Sequence, residues 1–115
     1  MVTLFGIKNC DTVQKALKWL EKNGIEHQFH DFRKDGISRD QVSVWLQKLG
    51  WQTLVNKRST SWKQLEPAQR EAMDDALAIE AILEQPTLIK RPLLDVGNTV
   101  KVGFKAGDYE TLFNP

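Results

Sequence analysis

The chain has 115 residues, of which 41% are hydrophobic and 27% charged, and a formal net charge of +1. That size and make-up are those of one ordinary globular domain. Sixteen Lys and Arg are interspersed with fifteen acids, so no basic face is expected for nucleic acid or an anionic membrane.

The opening "MVTLFGIK" has no basic region ahead of its apolar run and no small-residue cleavage site, so it does not read as a signal peptide. Residues 2–7 are apolar nearly throughout, with β-branched and aromatic types, which predicts a strand covered on both faces. Asp11 or Thr12 is expected to cap a helix, with Gln14 placed for a capping box. Val13, Ala16, Leu17 and Leu20 recur at helical spacing, and Asn23-Gly24 closes the helix. An extended stretch at 25–32 follows, and strand, helix, strand in so few residues predicts a parallel βαβ unit.

Ser38 and Gln41 form a second capping-box pattern, with Val42, Trp45, Leu46 and Leu49 inward. A helix is expected around 61–66, with Ser61 as cap and Trp62 and Leu65 inward, and Pro67 opens another short turn. Residues 75–84 read as the last helix of this block, with Ala76, Ile79, Ile82 and Leu83 apolar. The apolar run at 76–83 carries Glu80 and is too short to span a bilayer. Pro86 ends the block. Strand-like segments at 87–96 and 99–104 flank Gly97-Asn98, a two-residue hairpin signal, and Gly107-Asp108 introduces a closing helix through Leu112-Phe113.

The one cysteine, Cys10, lies between the first strand and the first helix cap. Amide donors and the positive end of a helix macrodipole favour an anion there, so the sulfur is expected to react as the thiolate. Lys8 adds positive charge nearby. The carboxyl edge of parallel strands is also where open sheets bind ligands. A single cysteine forms no internal disulfide, which fits a reducing compartment, and the cytoplasm is the expected location. Arg33 reads as solvated surface charge, whereas Arg91, followed by Pro92 at a strand entrance, would suit an oxyanion or carboxylate near a thiolate. His27 and His30, on the second strand at odd spacing, point to opposite faces. One Cys and two His offer no zinc spacing, and no glycine-rich loop marks a nucleotide site.

Four segments in order, "LFGIKNCDTVQKALKWLEKNGI", "HDFRKDG", "LVNKRSTSW" and "IKRPLL", resemble those of the arsenate reductase-like ArsC/Spx/YffB family, with the greatest likeness to its YffB branch. The resemblance runs over essentially the whole chain. It implies an α/β, thioredoxin-like (glutaredoxin-like) fold: a mixed sheet with an inserted helical subdomain. The expected single domain, 1–115, has its core at 1–33 and 86–115 and the helical insertion at 34–85. It also implies that Cys10 is the redox-active thiol, that Arg91-Pro92 borders the site with Pro92 cis, and that Arg58 contributes to anion or glutathione binding. Lys8, Asn9, Asp11 and Thr12 complete the expected substrate- or glutathione-binding set.

Two departures bear on substrate. The arsenate reductases of the family carry a C-terminal arginine in a "CRP"-like segment, and this chain reads "VKVGFKAG" at 100–107; their middle arginine falls on Arg58 or on Asn56. The Spx regulators usually carry CxxC, where this chain has Cys10-Asp11-Thr12-Val13. The leading expectation is therefore a monothiol reductase of the arsenate reductase type, using glutathione as co-substrate, with glutathione or a glutaredoxin as partner and no metal or nucleotide. The alternative is a non-catalytic, Spx-like regulatory protein that binds RNA polymerase or another protein.

Overall fold

The computed structural model describes residues 2–114; Met1 and Pro115, the ends of the expected domain span, lie outside the described residues. In chain order the elements are β1 (Thr3–Gly6), α1 (Asp11–Lys22), β2 (Gln28–Asp31), α2 (Phe32–Asp35), α3 (Arg39–Leu49), α4 (Trp51–Leu54) and α5 (Thr60–Lys63). There follow α6 (Pro67–Glu71), α7 (Asp75–Glu84), a 3₁₀ turn at Pro86–Leu88, β3 (Leu93–Asp95), β4 (Val100–Val102) and α8 (Ala106–Phe113). The chain forms two compact units, one running to Asp31 and resuming at Arg91, the other Phe32–Lys90.

The first unit is built on a four-stranded sheet of order β2-β1-β3-β4. The α1 crossover makes β1 and β2 parallel, in the register Thr3↔Gln28 to Gly6↔Asp31. β3 runs antiparallel to β1, pairing Leu4 with Leu94 and Phe5 with Leu93, and β4 returns antiparallel to β3. The return is a two-residue hairpin: the Val96 N–H donates to the Thr99 carbonyl, and Gly97 takes φ 100°, a value that L side chains strongly disfavour. This mixed α/β sheet with its helices is the expected thioredoxin-like arrangement.

Leu4, Val13, Ala16, Leu20, Leu94 and Tyr109 form the core of this unit. Leu4 and Leu94 are cross-strand partners with no exposure. Each such leucine contributes roughly 1.5–3 kcal/mol on leaving water. Tyr109 on α8 meets Trp19, Phe104 and Phe113 through aromatic contacts with ring centroids 4.8–6.4 Å apart, which dock α8 against α1.

The second unit is helical. Ser38 caps α3 through the predicted box: its hydroxyl accepts from the Gln41 N–H, and the Ser38 N–H donates to Gln41 Oε1. Ser59, not Ser61, caps α5, which is shorter than expected; its hydroxyl accepts from the Trp62 N–H and donates to the Asn56 carbonyl. Ser61 is buried instead and hydrogen-bonds Thr87. The buried face of α7 is Ala78, Ala81 and Ile82, while Ala76 is exposed, a half-turn from its expected place. Segment 86–90 belongs to this unit and not to the core as expected. The Lys90 N–H donates to the Leu54 carbonyl, the Asn56 N–H to the Leu88 carbonyl, and Val55 bridges Ile89. Among the described residues no helix is long and apolar enough to cross a membrane.

Candidate active site

Cys10 is itself the N-cap of α1, with extended backbone at φ −130° and ψ 120°, where Asp11 or Thr12 was expected to cap. The first hydrogen bond of the helix runs from the Gln14 N–H to the Cys10 carbonyl, at 3.0 Å. The Cys10 side chain makes no capping hydrogen bond. A thiol is a weak acceptor, so the opening amides lack the oxygen that serine or aspartate would supply. With the cap at Cys10, Gln14 stands one position beyond a box. Its amide reaches back instead, donating from Nε2 to the Lys8 carbonyl at 2.9 Å.

The sulfur-bearing residue is half-buried and packs on the core cluster. Its neighbours Lys8, Asn9, Asp11 and Thr12 are exposed. Position follows from the sheet. β1 and β2 run parallel, so Gly6 and Asp31 mark their carboxyl ends. β3 runs antiparallel with Leu93 opposite Phe5, so Arg91-Pro92 enters the sheet at the end from which Ile7–Cys10 departs. The Gly103 N–H, just past β4, donates to the Pro92 carbonyl at 2.9 Å and holds this edge. The Arg91–Pro92 peptide bond is cis; Pro92 is buried and Arg91 half-buried. Seven of the eight expected site residues thus lie at one end of one sheet.

Arg58 belongs to the helical unit, exposed in the loop between α4 and α5. Asn56 organises that loop: its Oδ1 accepts from the Arg58 N–H at 2.9 Å and its carbonyl from the Ser59 N–H at 3.1 Å. Lys57, which sequence reasoning missed, has its ammonium 5.0 Å from the Trp51 ring centroid and 6.0 Å from that of Trp62. The signal was available in two tryptophans flanking a basic pair, but their stacking is tertiary. Of the histidines, His27 precedes β2 and donates from Nδ1 to the Ile25 carbonyl, whereas His30 lies within β2 with its ring 4.8 Å from that of Phe5. Among the described residues no three His, Cys, Asp or Glu side chains gather as a metal site.

A cysteine at the turn from β1 to α1, at the same sheet end as a cis-proline at the entrance to β3, defines a thioredoxin-like domain of the arsenate reductase type. The chain belongs to the ArsC family, whose model matches residues 5–112. It is 43% identical over 113 residues to an uncharacterized protein of Haemophilus influenzae, covering 98% of this chain and 99% of that one. A solved YffB protein is 41% identical and superposes with a TM-score of 0.92, over 96% of this chain and 97% of the other. An arsenate reductase-related protein of Brucella melitensis is 40% identical with a TM-score of 0.78, over 99% and 95%. More distantly, the global transcriptional regulator Spx of Streptococcus pyogenes is 29% identical over 106 residues, 90% of this chain and 78% of that protein.

Proposed function

We propose that the protein is a glutathione-dependent monothiol reductase in which Cys10 is the nucleophile. The observation that carries this reading is a half-exposed cysteine standing where a helix wants an oxygen cap, at the sheet end that also carries the cis Arg91–Pro92 bond. Uncapped amide donors at 11–13 offer stabilisation to an anion. The Cys10 thiolate attacks one sulfur of an oxidised substrate, such as a mixed disulfide with glutathione, and the substrate leaves as its thiolate. A second glutathione thiolate then attacks the Cys10–glutathione disulfide, which regenerates Cys10 and releases oxidised glutathione. The net exchange converts the mixed disulfide and one reduced glutathione into the free substrate thiol and oxidised glutathione, with Cys10 returned unchanged. Arg91 and the backbone of Lys8, Asn9, Asp11 and Thr12 would hold the carboxylates of glutathione or the charge of the substrate. An arsenic oxyanion is the second electrophile this thiol could meet, and the arsenate reductase-related relative supports that class.

The test is incubation with oxidised glutathione followed by intact-mass measurement. One glutathione per chain is expected, removed by excess reduced glutathione and absent in Cys10→Ser. An unmodified wild-type chain would overturn the proposal. The Spx relative favours a second reading, a regulatory protein acting through a protein partner. RNA polymerase subunits captured equally by wild type and Cys10→Ser, with no adduct formed, would decide for it.

A further inference from the structure

We propose that Gln14 is a positioning residue for Cys10, holding the turn that carries the thiol from both ends. The inference rests on the reading of Cys10 as the reactive group. The Lys8–Cys10 turn leaves β1 with exposed side chains at Lys8 and Asn9, and no cap oxygen at Cys10 anchors it to the helix. Two hydrogen bonds from one residue supply that anchor. The Gln14 backbone N–H holds the Cys10 carbonyl at 3.0 Å, and its side-chain Nε2 holds the Lys8 carbonyl at 2.9 Å. The residues so tied bracket Asn9, so the turn closes on the first turn of α1 as a small ring.

A glutamine one residue too far along for a capping box has no role in capping. Its side chain is exposed, so it adds little to the core. What its donor does is restrict the conformations through which the sulfur passes. A nucleophile that spends more time in one geometry beside the helix amides reacts faster, because that ordering is already complete before substrate arrives.

The experiment compares Gln14→Met, similar in length but without a donor, and Gln14→Lys, which keeps an N–H donor of similar reach. The readouts are the rate of Cys10 alkylation by uncharged iodoacetamide at neutral pH and the thermal midpoint. Gln14→Met is expected to slow alkylation about three- to tenfold, the scale of one net hydrogen bond, at an unchanged midpoint. Gln14→Lys is expected to restore most of the rate. Alkylation of Gln14→Met at the wild-type rate, slowing only in step with a lowered midpoint, or equal slowing in Gln14→Lys would each overturn the proposal. Alkylation needs no glutathione, so a wild-type chain that forms no glutathione adduct defeats the proposed function while this comparison still decides the role of Gln14.

Discussion

Gly6 ends β1 against α1, and a Cβ built on it would lie 2.7 Å from Val13 Cγ2. That contact lets the strand approach the helix that Cys10 caps. Gly6→Ala should cost about 1–3 kcal/mol, as overpacking does, and lower the urea midpoint. Val13→Ala in the same chain should recover part of the loss, a coupling that a double-mutant cycle detects. Tyr109 poses the opposite problem: its hydroxyl is buried without a hydrogen-bond partner. Tyr109→Phe removes only that oxygen and should raise stability by about 1 kcal/mol. Burial also pushes the hydroxyl well above its ordinary value. The unfolded chain loses this proton first, so the native state binds more protons above about pH 10 and stability falls as pH rises beyond it; below that the contribution is fully present. The chain has one tyrosine, so phenolate absorbance reports it alone. It should remain absent in the folded protein above pH 10 and emerge on unfolding, and Tyr109→Phe should flatten the alkaline loss.

At the scale of the element, two helix starts carry the contrast. α3 begins with Ser38 and a complete box, whereas α1 begins with a cysteine and no cap bond. Ser38→Ala should cost about 1 kcal/mol, measured by denaturant unfolding. Cys10→Ser should act in the other direction, because its hydroxyl can accept from the first-turn amides in a backbone already extended; a gain of about 0.5–1 kcal/mol is expected. Higher stability together with a lost glutathione adduct would identify Cys10 as a cap sacrificed to chemistry. The Ser38 box was legible because both partners are local and three residues apart. The cap of α1 falls at Cys10, one or two residues before the expected Asp11 or Thr12, because those are the better capping types and composition rewards the better cap. Ser59 caps where Ser61 is expected because the cap depends on the Asn56 loop, which reaches the Leu88 carbonyl across more than thirty residues of chain.

For the whole molecule, one cysteine admits no internal disulfide, so the proposed reductase would need an external thiol to complete each cycle. Exposure to oxidised glutathione should load one glutathione per chain, and turnover in a coupled assay should rise with reduced glutathione and vanish in Cys10→Ser. The sheet architecture was legible because its connections are short: a twelve-residue helix between parallel strands and a two-residue hairpin each admit few arrangements. The limits of the helical unit were less so. Pro86 marks a helix end, but the segment after it stays with the helices through the Leu54 and Val55 contacts, which no periodicity records.

Local chemistry alone determined the order of strands and helices and the lone thiol at a helix start, because each is written in neighbouring residues, and the resemblance of four ordered segments pointed to the family. Only the tertiary structure decided that Cys10 caps the helix itself, that Gln14 turns back to Lys8, and that the Arg91–Pro92 bond enters the sheet at the end where the thiol's turn departs. Those depend on strand register and on which amide a side chain can reach, quantities set by packing between segments far apart in the chain.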